Sequence, residues 1–226
     1  MISALAQSPG PAMEAMQHEW PQAKAYNLLD DSLASDFARI GAITPAIHER
    51  FRQLSDYAAA STDGVSPTRG ILFTCSAFRP AIEAVKARLT IPVVTPNEGA
   101  FDEALELCKG RPDGGRIGLL LSFAGSAAPL TSEFHAMADA INQPRPGVIP
   151  VIAEGALEAL QAGDAQAHDM LAARAVRDLP QVDAIIVGQF SLARVAPLVS
   201  AERAEPVLTT PHMAVRKLRR LVSAVT

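Results

Sequence analysis

At 226 residues, 49% hydrophobic and 19% charged, the chain is long enough for one large α/β domain or two small ones, either with its own core. No apolar run reaches the ~20 residues a membrane span needs, and a net charge of −4 gives no basic footprint for nucleic acid. Cys75 and Cys108 are the only cysteines; they make neither a disulfide framework nor a metal-ligand spacing, and Met1 to Gln7 lacks the basic start of a signal peptide, so a reducing cytoplasm is expected.

In chain order, strand-like and helix-like pieces alternate. Ile2 to Ala6 reads as a short strand, Ser8-Pro9-Gly10-Pro11 breaks it, and Ala12 to Trp20 follows as a helix. Tyr26 to Leu29 is the next strand, and Asp30-Asp31-Ser32 a turn or helix start. Ser35 to Tyr57 is mostly helical with a break near Pro45. Gly70 to Thr74 and Ile91 to Thr95 are strands, separated by a helix from Ala81 to Leu89. Asn97 to Leu107 is helical, and the glycine-rich segment from Gly110 to Gly115 ends the half.

The second half repeats that order. Arg116 to Leu121 is a strand, Ser122 to Ser126 a loop, and Ala127 to Asn142 a helix; Val148 to Ile152 is the next strand. Leu157 to Leu179 is helical, interrupted at Gly163-Asp164. Ala184 to Val187 is a buried type of strand with Gly188-Gln189-Phe190-Ser191 as its following loop. Val207 to Thr209 is the last strand and Met213 to Val222 the last helix. Strands separated by helices imply parallel βαβ units.

The most informative stretch is Gly70 to Pro80. Ile71-Leu72-Phe73 ends at Thr74-Cys75-Ser76, and Pro80 suits the first turn of a helix, where its missing N–H costs nothing. Cys75 therefore lies between a strand's carboxyl end and a helix's amino end, the edge at which open α/β sheets bind ligands. Free N–H groups and the helix dipole there favour a thiolate, and the Thr74 and Ser76 hydroxyls suit an anionic ligand. The competing reading is a small buried hydrophobe. An offset of 114 residues lays Cys75 over Gln189 and Pro92 over Pro206, and Ile2 lies over Ile117 at nearly the same shift. Agreement of three strand ends on about half the chain length implies an internal repeat. The expected fold is thus α/β, with two pseudo-symmetric lobes meeting at a cleft where Cys75 stands opposite Gln189.

These residues resemble the aspartate/glutamate racemase superfamily, which includes hydantoin racemases, maleate isomerases and arylmalonate decarboxylases. The resemblance rests on Thr74-Cys75-Ser76-Ala77, on Ile91-Pro92-Val93-Val94 with Glu98-Gly99-Ala100, and on Asp183-Ala-Ile-Ile-Val-Gly188 with its loop. Trp20-Pro21, Leu28 to Asp31 and Glu154-Gly155-Ala156 add weaker support. The resemblance implies four-stranded, flavodoxin-like parallel lobes, residues 1–96 plus 211–226 in one and 97–210 in the other, with the last helix crossing back. It also implies a cofactor-independent enzyme, without pyridoxal phosphate or metal, that acts on a small carboxylate. Nucleic acid and membrane are not expected partners, and a homo-oligomer is left open.

In two-base members a cysteine from each lobe faces the substrate's α-carbon, one thiolate removing the proton and the opposite thiol returning one. Cys75 fills the first position. At the second, where family members read Gly-Cys-Thr, this chain reads Gly188-Gln189-Phe190, and glutamine is neither acid nor base near neutral pH. Symmetric racemisation is thereby put in doubt. A one-thiol decarboxylase and a non-catalytic carboxylate-binding protein are the alternatives. Ser8, Thr74, Ser76, Ser122, Ser126 and Ser191 are the expected substrate-binding hydroxyls, against a competing role in turns and caps. Cys108 is expected in helix packing, Glu98 and Glu154 in first helical turns, and four of the five histidines in helices. His212 sits at a strand–helix junction, and the basic run Arg216 to Arg220 reads as a solvated helix face.

Overall fold

The computed structural model describes residues 1–111 and 113–225. The chain divides into two compact units, Met1–Gly99 with the segment from Pro211 onward, and Ala100–Thr210.

In the first unit, β1 (Ile2–Ser3) pairs in parallel with β2 (Leu28–Leu29), and β3 (Ile71–Leu72) with β4 (Val93–Val94). A parallel bridge from Ile2 to Phe73 joins the two pairs, so the strands run in the spatial order β2-β1-β3-β4. The strands are shorter than the sequence suggests. Single bridges and backbone bonds such as Thr74 N to the Ile2 carbonyl, 3.1 Å, carry the pairing beyond them.

The helices start and stop where local chemistry says they should. α1 (Pro9–Glu19) opens on prolines that need no N–H partner. The expected break near Pro45 separates α2 (Ser32–Ile40), closed by Gly41 at φ 75°, from α3 (Pro45–Ala60). Thr44 caps α3, its side chain accepting from Ile47 N at 3.3 Å. α4 (Arg79–Arg88) begins at Pro80's turn. The core gathers Ile2, Phe73, Ile71 and Val93 from the strands with Leu33, Ile47, Phe51, Ile82 and Val85 from the helices. Phe51 stacks on Phe73 at 5.5 Å between ring centroids and lies 5.1 Å from Phe78. Burying one such ring contributes roughly 2–3 kcal/mol.

The second unit has the same strand order, β6-β5-β7-β8. These are β5 (Arg116–Leu121), β6 (Gly147–Ile152), β7 (Ala184–Val187) and β8 (Val207–Thr209), all parallel. β7 is buried throughout and β5 from Ile117 on, which is why both read as unbroken apolar runs rather than as alternating ones. α5 (Glu98–Cys108) leads into this unit, and α6 (Ala127–Ala140) follows β5. The expected long helix after β6 is two helices, α7 (Ala156–Gln161) and α8 (Ala165–Ala175). Gly163 at φ 81° ends the first, and the Asp164 carboxylate caps the second, accepting from Ala167 N at 2.9 Å. α9 (Ala196–Glu202), which the sequence reading passes over, packs Val199 into the core with Leu192, Val195 and Ala172. α10 (Thr210–Ala224) returns the chain to the first unit.

Candidate active site

The loop after β3 carries the thiol. Cys75 is extended, φ −127° and ψ 117°, and is followed by a 3-10 turn, Ser76–Phe78, and then α4. Phe78 anchors the turn in the core, which fixes the loop's direction. In the second unit the loop after β7 is built alike. Gln189 is extended at φ −141° and ψ 143°, and a 3-10 turn, Phe190–Val195, leads into α9. Each residue thus follows the third strand of its own unit by two or three residues, in the same extended backbone conformation and before the same kind of turn.

Cys75 is half-buried, and its Sγ accepts a hydrogen bond from the Ala77 N–H. The sequence predicts a lowered thiol pKa from the helix terminus. The net effect runs the other way: burial pushes the Cys75 thiol up, and the Ala77 N–H offsets only part of that. Cys108, at the end of α5, is fully buried, and burial together with the neighbouring Asp183 carboxylate pushes it up to about 11.

Gln189 is fixed by Ser122. Its Oε1 accepts from the Ser122 backbone N–H at 2.7 Å and from the Ser122 hydroxyl at 2.9 Å. A backbone N–H can only donate, so the carboxamide oxygen must face it, and the amide's own N–H₂ is directed elsewhere. Gly188 lets the strand end sit this close, because a Cβ there would lie 2.7 Å from a Leu121 methyl and 2.9 Å from one of Leu119. Gln189 is therefore a tethered neutral group, with its acceptor occupied and its donor left over.

The hydroxyl residues separate by role. Thr74 Oγ1 donates to Ser3 Oγ at 3.0 Å, and Ser3 donates to Asn27 Oδ1 at 2.7 Å, a relay, buried at its Thr74 end, that ties the residues after β3 to β1 and to the approach to β2. The sequence reading passes over Ser3 and Asn27, although a serine inside a strand was the available signal. Ser8, buried at the amino end of α1, makes no side-chain cap bond, nor does Ser126 ahead of α6. Ser76 and Ser191 are half-buried in the 3-10 turns that follow Cys75 and Gln189. Ser8, Thr74 and Ser76 thus lie in the first unit with Cys75; Ser122, Ser126 and Ser191 lie in the second with Gln189. Phe123, also passed over, is 54% exposed at the end of β5, its ring so close to Gly125 that a Cβ there would meet it at 2.5 Å.

The remaining candidates are structural. Glu98 Oε1 accepts from Thr95 N at 2.9 Å and its Oε2 takes Lys86 at 2.5 Å and Lys217 at 3.3 Å, holding α10 and α4 to the start of α5. Glu154 is exposed and precedes α7 rather than lying in its first turn. The basic run on α10 is not simply solvated: Arg216 pairs with Glu19 at 2.6 Å, Lys217 with Glu98, and Arg219 donates to the Glu19 carbonyl. Burial lowers the pKa of His212, which meets the ring of His18 edge-on at 5.6 Å.

Parallel α/β units with a thiol just past a strand's carboxyl end define a fold class rather than an activity. Comparison with known families is specific. The model of the Asp/Glu/hydantoin racemase family matches residues 3–218, and the chain belongs to that family. Glutamate racemase isoform RacE1 from Bacillus anthracis shares the fold at a TM-score of 0.66 and 12% identity, with 99% of this chain and 80% of that one covered. Glutamate racemase from Francisella tularensis subsp. tularensis SCHU S4, in complex with D-glutamate, gives 0.64 and 12%, covering 99% and 81%. Allantoin racemase from Klebsiella pneumoniae gives 0.64 and 15%, covering 99% and 86%. Comparison with curated protein sequences gives no significant match. No helix among the described residues is long and apolar enough to cross a membrane.

Proposed function

We propose that the protein is a cofactor-independent, racemase- or isomerase-like enzyme acting at the carbon next to a carboxylate of an amino acid or small dicarboxylate, with Cys75 as its acid/base. The observation that carries this reading is the placement of Cys75 in a family member: extended at the end of β3, half-buried, and ahead of a 3-10 turn and a helix. A thiol whose pKa is raised by burial is held mostly as the acid at neutral pH, which suits delivery of a proton to a carbanionic carbon. Gln189 takes a different part from a second thiol. Tethered through its oxygen to Ser122, it offers a neutral N–H to the negative charge that develops on the substrate's carboxylate side. Ser8, Ser76, Ser126 and Ser191 are the hydroxyls proposed to bind the carboxylate, with Thr74 and Ser122 holding the loops that present them. The two free cysteines suit a reducing compartment such as the cytoplasm.

The fixed Gln189 also favours a second reading, a one-thiol decarboxylase in which loss of CO₂ generates the enediolate and Cys75 protonates one face. Solvent-deuterium incorporation at the α-carbon, followed by NMR across amino acids and dicarboxylates without added cofactor, tests both. Exchange or racemisation without loss of carbon supports the first reading, and CO₂ release with single-face deuteration the second. Turnover that is unchanged in Cys75→Ser refutes both.

A further inference from the structure

The carboxyl end of α1 and the amino end of α10 bring together three metal-ligating side chains that the proposed chemistry does not use. His18 and Glu19 are the last residues of α1, and His212 lies in the first turn of α10, all within the first unit. His18 Nδ1 is 3.1 Å from Glu19 Oε1, and the His18 and His212 rings meet at 5.6 Å with their planes 74° apart. One donor atom from each of the three residues lies within 4.8 Å of the others, the only such group of three among the described residues. A tetrahedral zinc ion with bonds near 2.0–2.1 Å needs its donors about 3.3 Å apart. The His18 side chain is 72% exposed, so its ring is the one with room to rotate towards that spacing.

We propose that His18, Glu19 and His212 form a binding site for a divalent transition-metal ion of the zinc class, with one position open to solvent. Two imidazoles and one carboxylate are a donor set that zinc accepts, leaving a fourth position for water. The carboxylate is already oriented. Arg216 holds Glu19 Oε2 at 2.6 Å, and Arg219 donates to the Glu19 carbonyl at 2.8 Å, so Oε1 is the oxygen available to a metal. Arg216 Nη2 also reaches Oε1 at 3.1 Å, and this longer bond is the one the ion displaces. A guanidinium on the far carboxylate oxygen orients the ligand as outer-shell partners do, while its positive charge opposes that of the ion and weakens binding. Ser8 and His18 stand at opposite ends of α1, ~15 Å apart at helical rise, so the site is separate from the α1 end proposed to bind substrate. Its effect is to clip α1 to α10, the helix that returns from the second unit.

The test is zinc binding to the untagged full-length chain by isothermal titration calorimetry, with thermal unfolding as a second readout. The expected result is one site of low-micromolar Kd, weakened at least tenfold in both His18→Ala and His212→Ala and unchanged in Cys75→Ser. Zinc should also raise the unfolding temperature of the wild type and not of the His18→Ala/His212→Ala double variant. Absence of a zinc-dependent heat and shift, equal binding by the double variant, or loss of binding in Cys75→Ser overturns the assignment, the last because it would place the ion on the thiol loop.

Discussion

The double tether of Gln189 to Ser122 makes a separable prediction, because one atom of the side chain holds the loop and the other is proposed to meet the substrate. Gln189→Ala removes the acceptor of two hydrogen bonds at 2.7 and 2.9 Å and strands the N–H of Ser122, itself only 8% exposed. At about 1 kcal/mol for each bond the loss is ~2 kcal/mol, or a fall of roughly 4–8 °C in the unfolding temperature of a chain this long. Gln189→Glu keeps an oxygen facing Ser122, so its unfolding temperature should stay close to wild type at neutral pH. That substitution nonetheless deletes the N–H donor and adds a negative charge where the proposed reaction develops one. Loss of one such donor costs about 2.7–4 kcal/mol of barrier, or ~100–1000-fold in rate. The assay pairs thermal unfolding by circular dichroism with α-proton exchange of the best substrate in D₂O. Wild-type exchange in Gln189→Glu would refute the donor role. Wild-type stability in Gln189→Ala would refute the tether.

Alkylation by iodoacetamide should modify Cys75 well before the fully buried Cys108, with the Cys75 rate rising about tenfold between pH 7 and 8. That slope follows from a thiol held above its ordinary value of 9.0, and a rate that levels off below pH 8 would contradict it. Gly99→Ala should destabilise the protein by more than about 1–3 kcal/mol in chemical unfolding, because the new Cβ would lie 2.2 Å from the Met213 carbonyl oxygen and 2.8 Å from Ala214 N, both rigid backbone atoms. Unchanged stability there would mean that α10 does not pack against the start of α5 as described.

Local chemistry made much of the fold readable. Pro45, Gly163-Asp164 and Pro80 punctuate the chain where helices end or begin, and the apolar runs from Ile117 to Leu121 and Ala184 to Val187 match buried parallel strands because both faces are covered. The matching strand orders of the two units account for the 114-residue similarity. Strand lengths in the first unit were not readable, since Ile2 to Ala6 carries a strand pattern but only Ile2–Ser3 finds a sustained partner. α9 is absent from the sequence reading because it is only seven residues long and Val199 is its one buried side chain, too little for a helical period to show; Pro197 sits in its first turn, where a missing N–H costs nothing. At the site, the strand-end setting of Cys75 was legible from Phe73 to Pro80. The direction of its pKa was not, because burial of the thiol against the first unit's core outweighs the hydrogen bond from the Ala77 N–H. Nor was the partner of Gln189, which lies 67 residues away. The pairing of His18 with His212 likewise depends on α1 and α10 meeting, which no local pattern announces.

The central claim is that Cys75 exchanges or delivers a proton at the carbon beside a carboxylate. Incubating wild type and Cys75→Ser in D₂O with a panel of amino acids, dicarboxylates and substituted malonates, and reading α-deuterium by NMR, tests it most directly. The account predicts cofactor-free deuterium incorporation into at least one substrate by the wild type and none above background by Cys75→Ser, with the variant's circular dichroism unchanged. Incorporation at the wild-type rate by folded Cys75→Ser would contradict it.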